Sequence, residues 1–246
     1  MQGGSGSSWG PGAVPLAVRV SRRTVDELGR DGIAELAEHL WAGNCQTCGT
    51  PLGAERPALL VDDLMVSALA SLHHPHCLRP EWNDGGGIRM TSSELVTHLT
   101  RALMVPLPFG GTGRPAEQRP ALLVNPGLEM VMLRRGADRR WRVATVDLHT
   151  HHGLHPADAR LHHLSPDRPV AGVRARLTGA GLRVELPHAT WTAAVEPAFG
   201  AEVRRSAGFL LAVTTMLRPD GHAPLQSLVA AVRAGQVATG WVATAS

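Results

Sequence analysis

The chain has 246 residues, 43% of them hydrophobic, enough for a self-sufficient core burying roughly 70–75% of the surface its unfolded form exposes. A formal charge of +3 is too small at this length to mark nucleic acid as the main partner, and there is no apolar run of the roughly 18 residues a membrane span needs. All 24 basic residues are arginine, with no lysine and no tyrosine, a bias typical of a high-GC bacterial genome, so arginine abundance is read as codon usage before function.

Residues 1–14 are rich in glycine and serine, without a basic segment followed by an apolar one. They read as a disordered leader and not as a secretory signal. Residues 15–20 (PLAVRV) alternate as a short strand would. Thr24-x-x-Glu27 has the form of a capping box. After the breaker at Gly29 to Gly32, the residues Ile33, Leu36, Ala37 and Leu40 form one helical stripe, which Gly43 and Asn44 end. Residues 57–61 and 65–72 read as two strands turned near Asp62-Asp63. A helix starting near His76 would be brief because Pro80 stops it, and residues 83–87 (NDGGG) suggest a module boundary.

Beyond it, residues 93–104 carry Leu95, Val96, Leu99 and Leu103 at helical spacing, and residues 106–120 read as a Pro/Gly-rich linker. Strands are then expected over 121–124, 129–134, 141–147, 170–177, 182–186 and 209–215, mostly as antiparallel hairpins. The last helix has Pro224 at its start, a stripe of Leu225, Leu228, Val229 and Val232, and Gly235 after its end. The tail 236–246 reads as a short edge strand. One hexapeptide, Arg56-Pro-Ala-Leu-Leu-Val61, recurs as Arg119-Pro-Ala-Leu-Leu-Val124, which raises a duplicated hairpin as one reading and chance in an Ala/Leu-rich chain as the other.

All three cysteines fall in one pattern: Cys45-x2-Cys48, then His74-x2-Cys77, with 25 residues between the pairs. Two close pairs of soft ligands around a small folded unit suit one tetrahedral Zn2+, and four ligands leave no position for an activated water, so the site reads as structural. With three thiolates it would carry a net charge of about −1. His73 and His76 are alternatives to His74 as the fourth ligand. An odd number of cysteines in this pattern argues against a disulfide framework and for a reducing compartment, with the cytoplasm as the default.

Cys45, Cys48 with Gly49, and Leu72-His73-His74 leading to Cys77 resemble the treble-clef and LIM-type zinc fingers over about residues 43–82. The resemblance implies a knuckle, a hairpin and a short turn around one zinc ion, in a module used to bind protein or nucleic acid.

Two further clusters bear on activity. Asp147-x-His149-x-His151 resembles the first motif of the PHP phosphoesterases and amidohydrolases, which implies a catalytic metal at a strand end. Only 95 residues follow His151, too few to complete a (β/α)₈ barrel, and an exposed histidine-rich loop reaching to His163 is the plainer reading. Arg134, Arg135, Arg139, Arg140 and Arg142 crowd one hairpin beside Trp141 and could grip a phosphate backbone and stack a base; a solvated hairpin tip is the plainer reading. No P-loop, dinucleotide fingerprint or nucleophile elbow is present.

The sequence therefore predicts an α+β protein. Residues 15–88 form a treble-clef-like zinc module, 89–120 a helix and linker, and 121–246 a mainly antiparallel β region with a C-terminal helix. Its expected function is that of a zinc-stabilised cytoplasmic binding or adaptor protein with a protein partner. A metal-dependent hydrolase using Asp147, His149 and His151, or a nucleic-acid-binding finger protein, are the alternatives.

Overall fold

Runs of fully buried aliphatic residues, such as Leu59 to Val61 and Leu122 to Val124, form the centres of two sheets and leave the polar positions to edges and turns. A computed structural model describes residues 17–89, 96–107, 117–157, 168–179, 181–220 and 223–245. The leader 1–14 and His162 and His163 lie outside them. Among the described residues the protein is mixed α+β, with four helices and two sheets.

Helix α1 (Arg22–His39) begins three residues earlier than the capping box suggested: Ser21 is its cap, its Oγ accepting the Thr24 N–H at 3.0 Å. Gly29, at φ +68°, kinks the helix at the expected breaker. Its second half delivers Leu36 and Leu40 to the core of the first sheet. That sheet has the order β3-β1-β2-β6-β7, built from β1 (Ala58–Asp63), β2 (Ser67–His73), β3 (Glu81–Asn83), β6 (Met130–Arg135) and β7 (Trp141–Val143). Of residues 15–20, the described part contributes one bridge, Arg19 to Ala58.

The second sheet runs β11-β10-β9-β13-β12-β5-β4, with β8 (His155–Pro156) against β13. Its strands are β4 (Leu99–Leu107), β5 (Glu117–Asn125), β9 (Arg174–Thr178), β10 (Gly181–Leu186), β11 (Ala189–Ala193), β12 (Gly208–Val213) and β13 (Ala238–Ala245). It is mixed, since β5 runs parallel to β12 and β13 parallel to β9. Helix α3 (Pro197–Arg205) adds Phe199 and Val203 to the core on one face, and α4 (Pro224–Arg233) sets Ala231 and Leu228 against the other.

Four expectations are corrected. Of the helix expected over 93–104, residues 96–98 are irregular and the chain from Leu99 on is strand β4. Its apolar residues Leu99, Leu103 and Val105 also satisfy a period of two, and nine consecutive pairings with β5 decide between the periods. The linker 106–120 likewise belongs, in its described parts, to the β4–β5 hairpin; Pro106 is tolerated because β4 is an edge strand. The strand expected over 141–147 stops at Val143, and Thr145 opens helix α2 (Thr145–His151). The tail is not an edge strand: β13 lies between β12 and β9, with Trp241 and Val242 buried. A Cβ at Gly240 would overlap Val170, so β13 needs glycine there.

The sheets do not divide where the composition does. β6 and β7, from the 121–246 segment, complete the sheet begun by residues 58–83, with Ser67 to Ser71 paired against Met130 to Arg134. The two copies of the hexapeptide also differ in use. The first pairs with the strand that follows it, β2, whereas the second pairs with the strand before it, β4.

Candidate metal centre

The knuckle forms because Cys45 and Gly49 close a tight turn. The Gly49 N–H donates to Cys45 O at 2.8 Å, and the Cys45 N–H donates to Thr50 O at 2.8 Å. Gly49 takes φ +74°, a conformation a residue with a Cβ adopts only at a cost. The other two residues follow β2 directly. After His73 the chain makes a single helical turn, with the Cys77 and Leu78 N–H groups donating to His74 O, before Pro80.

These two turns bring together Cys45 Sγ, Cys48 Sγ, Cys77 Sγ and a ring nitrogen of His74, all within 4.8 Å of one another. Among the described residues this is the one group of three or more His, Cys, Asp or Glu gathered closely enough to hold a metal ion. The three thiols are free of disulfides.

The three candidate histidines separate clearly. His74 Nε2 donates to Pro51 O at 3.0 Å, which leaves the Nδ1 lone pair facing Cys48 Sγ at 3.4 Å. A ring nitrogen tied to a carbonyl with the other free is the arrangement of a metal-ligating imidazole. His73 turns the other way and is fully buried, its nitrogens engaged by Thr47 Oγ1 at 2.9 Å and Ser71 Oγ at 2.8 Å. His76 is exposed and stacks on His74 with ring centres 4.8 Å apart.

The electrostatics suit a cation. Thr50 Oγ1, 3.1 Å from Cys48 Sγ, is the main influence pulling the Cys48 thiol down to about 6. Burial works upward on Cys45, but backbone N–H groups of His74, Cys48 and Thr47 outweigh it and hold the thiol below its ordinary value. Cys77 is pushed up to about 11, first by burial and then by the neighbouring Cys48 and Cys45 sulfurs. Three thiolates cannot gather here without a positive ion, and a divalent soft or borderline cation removes the conflict.

Behind the knuckle stands a residue the motif did not suggest. Glu129 is fully buried, and its carboxylate accepts the N–H of Asn44 at 2.7 Å and of Thr97 at 3.2 Å, with the Gln46 amide at 3.4 Å. Burial raises its pKa against these donors. A lone acid in the apolar run Leu128 to Leu133 was the signal that could have marked it.

The other two clusters do not converge. Asp147 and His151 are exposed, and Asp147 pairs with Arg134 at 3.3 Å. His149 and His151, two residues apart on α2, point about 200° from each other. His149 is buried against His188 and Trp191. In the arginine hairpin, Trp141 is 5% exposed and packs edge-on against Trp82 in the core, with the Arg135 guanidinium 5.5 Å above it. Arg142 is held by Asp138 at 2.7 Å.

No protein-family model matches the chain, and neither does any curated protein or solved structure. No helix among the described residues is long and apolar enough to cross a membrane.

Proposed function

We propose that one structural Zn2+, held by Cys45, Cys48, His74 and Cys77, closes a treble-clef-like module, and that the protein is a cytoplasmic adaptor binding a protein partner through the tip of the β1–β2 hairpin. A three-cysteine, one-histidine donor set with N–H groups on its sulfurs is the chemistry of a closed structural zinc site. Free thiols within 4.8 Å of one another suit a reducing compartment.

The observation that carries the binding role is the hairpin tip. Met65 is 81% exposed and Val66 is 74% exposed, side by side at the turn. Met65 sits at φ +76°, a strained conformation for a residue with a side chain, held by its N–H donating to Asp63 Oδ1 at 2.8 Å. The metal cluster is at the opposite end of the same hairpin, eight residues from Val66 to His74, or about 26 Å of extended chain. The zinc would fix the base of a lever whose tip presents two apolar side chains. Arg134 and Arg135 flank the tip, with the Arg135 N–H donating to Val66 O at 3.2 Å. The complementary partner is a protein with an apolar pocket and an acidic rim.

Affinity capture with the metal-loaded chain tests this reading. A partner retained by the wild type, and rebinding it when purified, should be lost from Met65→Asp/Val66→Asp at unchanged metal content. Equal retention by both would overturn it. With Trp141 buried, the arginine hairpin has no ring to offer a base, which places the nucleic-acid reading second. Salt-dependent retention of DNA or RNA, weakened by Arg139→Ala/Arg140→Ala, would restore it.

A further inference from the structure

Between the two sheets lies a cavity of about 600 Å³, within the range that holds small molecules. The face of the first sheet turned away from α1 supplies Leu69, Met130 and Met132, and β11 supplies Trp191. Along β6 the burial alternates: Val131 and Leu133 enter the α1 core, while Met130 and Met132 remain half-buried against the cavity. Among the described residues no Asp, Glu or Arg lines it; the polar side chains that do are histidines and threonines.

One of these polar groups is anomalous. His149 is 1% exposed, and neither of its ring nitrogens has a hydrogen-bond partner. The other buried imidazoles are engaged, His73 by Thr47 and Ser71 and His39 by Thr215 at 2.6 Å. Burial, reinforced by His188 and His152, holds His149 down to about 3, so it is neutral and offers one donor and one acceptor. An unsatisfied buried polar group is a cost that a structure normally removes. The exposed His188 ring stands 5.1 Å away, at the cavity wall above it.

We propose that this cavity is a binding site for a small uncharged aromatic molecule, its ring held between Met130, Met132 and Trp191 and its one polar group answering His149. Thioether sulfurs and an indole favour an aromatic ring. An ion would be buried without a counter-charge in such a lining, which disfavours carboxylates, phosphates and amines alike. The site is distinct from the proposed docking tip, since neither Met65 nor Val66 lines it, although Leu69 of the same hairpin does.

The test uses the metal-loaded full chain and 2-naphthol as an uncharged probe, with 2-naphthoate as its anionic counterpart. We expect saturable one-to-one binding of 2-naphthol by calorimetry, shifts of the Met130 and Met132 methyl signals on titration, and at least tenfold weaker binding of 2-naphthoate. Met132→Trp, which fills the cavity, should abolish binding. His149→Phe, which keeps a ring but removes the nitrogens, should weaken it about tenfold. Absence of saturable 2-naphthol binding to the wild type overturns the proposal, as do unshifted methionine methyls, naphthoate binding as tightly as naphthol, or wild-type affinity in either folded variant. The wild-type titration decides the matter even if a variant does not fold.

Discussion

Glu129 reaches across from the start of β6 to accept the Asn44 N–H at 2.7 Å, one residue before Cys45. The knuckle is therefore held by its own Cys45–Thr50 turn in front and braced by a buried carboxylate behind. Glu129→Ala leaves the Asn44 and Thr97 N–H groups without this acceptor, and we expect a loss of roughly 3 kcal/mol in urea unfolding. Gly43→Ala should act through the same contact, because a Cβ at Gly43 overlaps Glu129 Oε1. If the two effects share this cause, the double variant will be much less than additive.

Metal content separates the ligand from its neighbours. We expect one zinc equivalent per chain by elemental analysis, lost in Cys45→Ser and His74→Ala and kept in His76→Ala and His149→Ala. Apparent zinc-binding energies of about 10–16 kcal/mol mean that chelation should also release the base of the β1–β2 hairpin. Retention of metal by His74→Ala would assign the fourth position elsewhere.

Acid should destabilise the fold through His39. Burial holds this side chain at about 4, against 6.5 for an ordinary histidine. Between those values the unfolded chain binds more protons than the folded one, so stability is full above about pH 6.5 and falls as pH drops toward 4. The limiting size is on the order of 3 kcal/mol. His39→Gln, which can still meet Thr215, should flatten this part of the stability–pH curve; an unchanged slope would show that other groups set it.

The strain at Met65 should be separable from its use. Met65→Gly removes the cost of a side chain at φ +76° and adds the entropy cost of glycine, so we expect a net gain of roughly 0.5 kcal/mol in thermal unfolding. The same variant should bind the partner more weakly. Strain retained at an exposed apolar residue would then reflect a trade between stability and binding.

The parts of this structure that could be read from the sequence are those set by short-range geometry. Cys45-x2-Cys48 and His74-x2-Cys77 had to come from two tight turns, and Pro224 and Gly235 mark the limits of α4 because each acts within one helical turn. What the sequence hid depends on distant partners. Leu99 and Leu103 fit a helical stripe until β5 is placed beside them. Asp147-Leu148-His149 looks like a strand end until Thr145 is seen to open a helix. Helix α3 has only Pro197 at its start and the pair Phe199 and Val203 one turn apart to mark it, a stripe too short to stand out locally. The cavity could not be read at all, because Met132, His149 and Trp191 meet only when the two sheets do.

The return of β6 to the side of β2 has a consequence for biosynthesis. The cysteines and His74 leave the ribosome well before residue 130, so the four side chains can gather while the outer edge of β2 still lacks its neighbour. Until β4 and β5 have been made and the chain doubles back, that edge is open to pairing with another copy. A fragment ending near residue 88 would be arrested at this stage, metal-loaded but adhesive. For expression work, the shortest segment worth making extends through Val143, not to the glycine run where the composition changes.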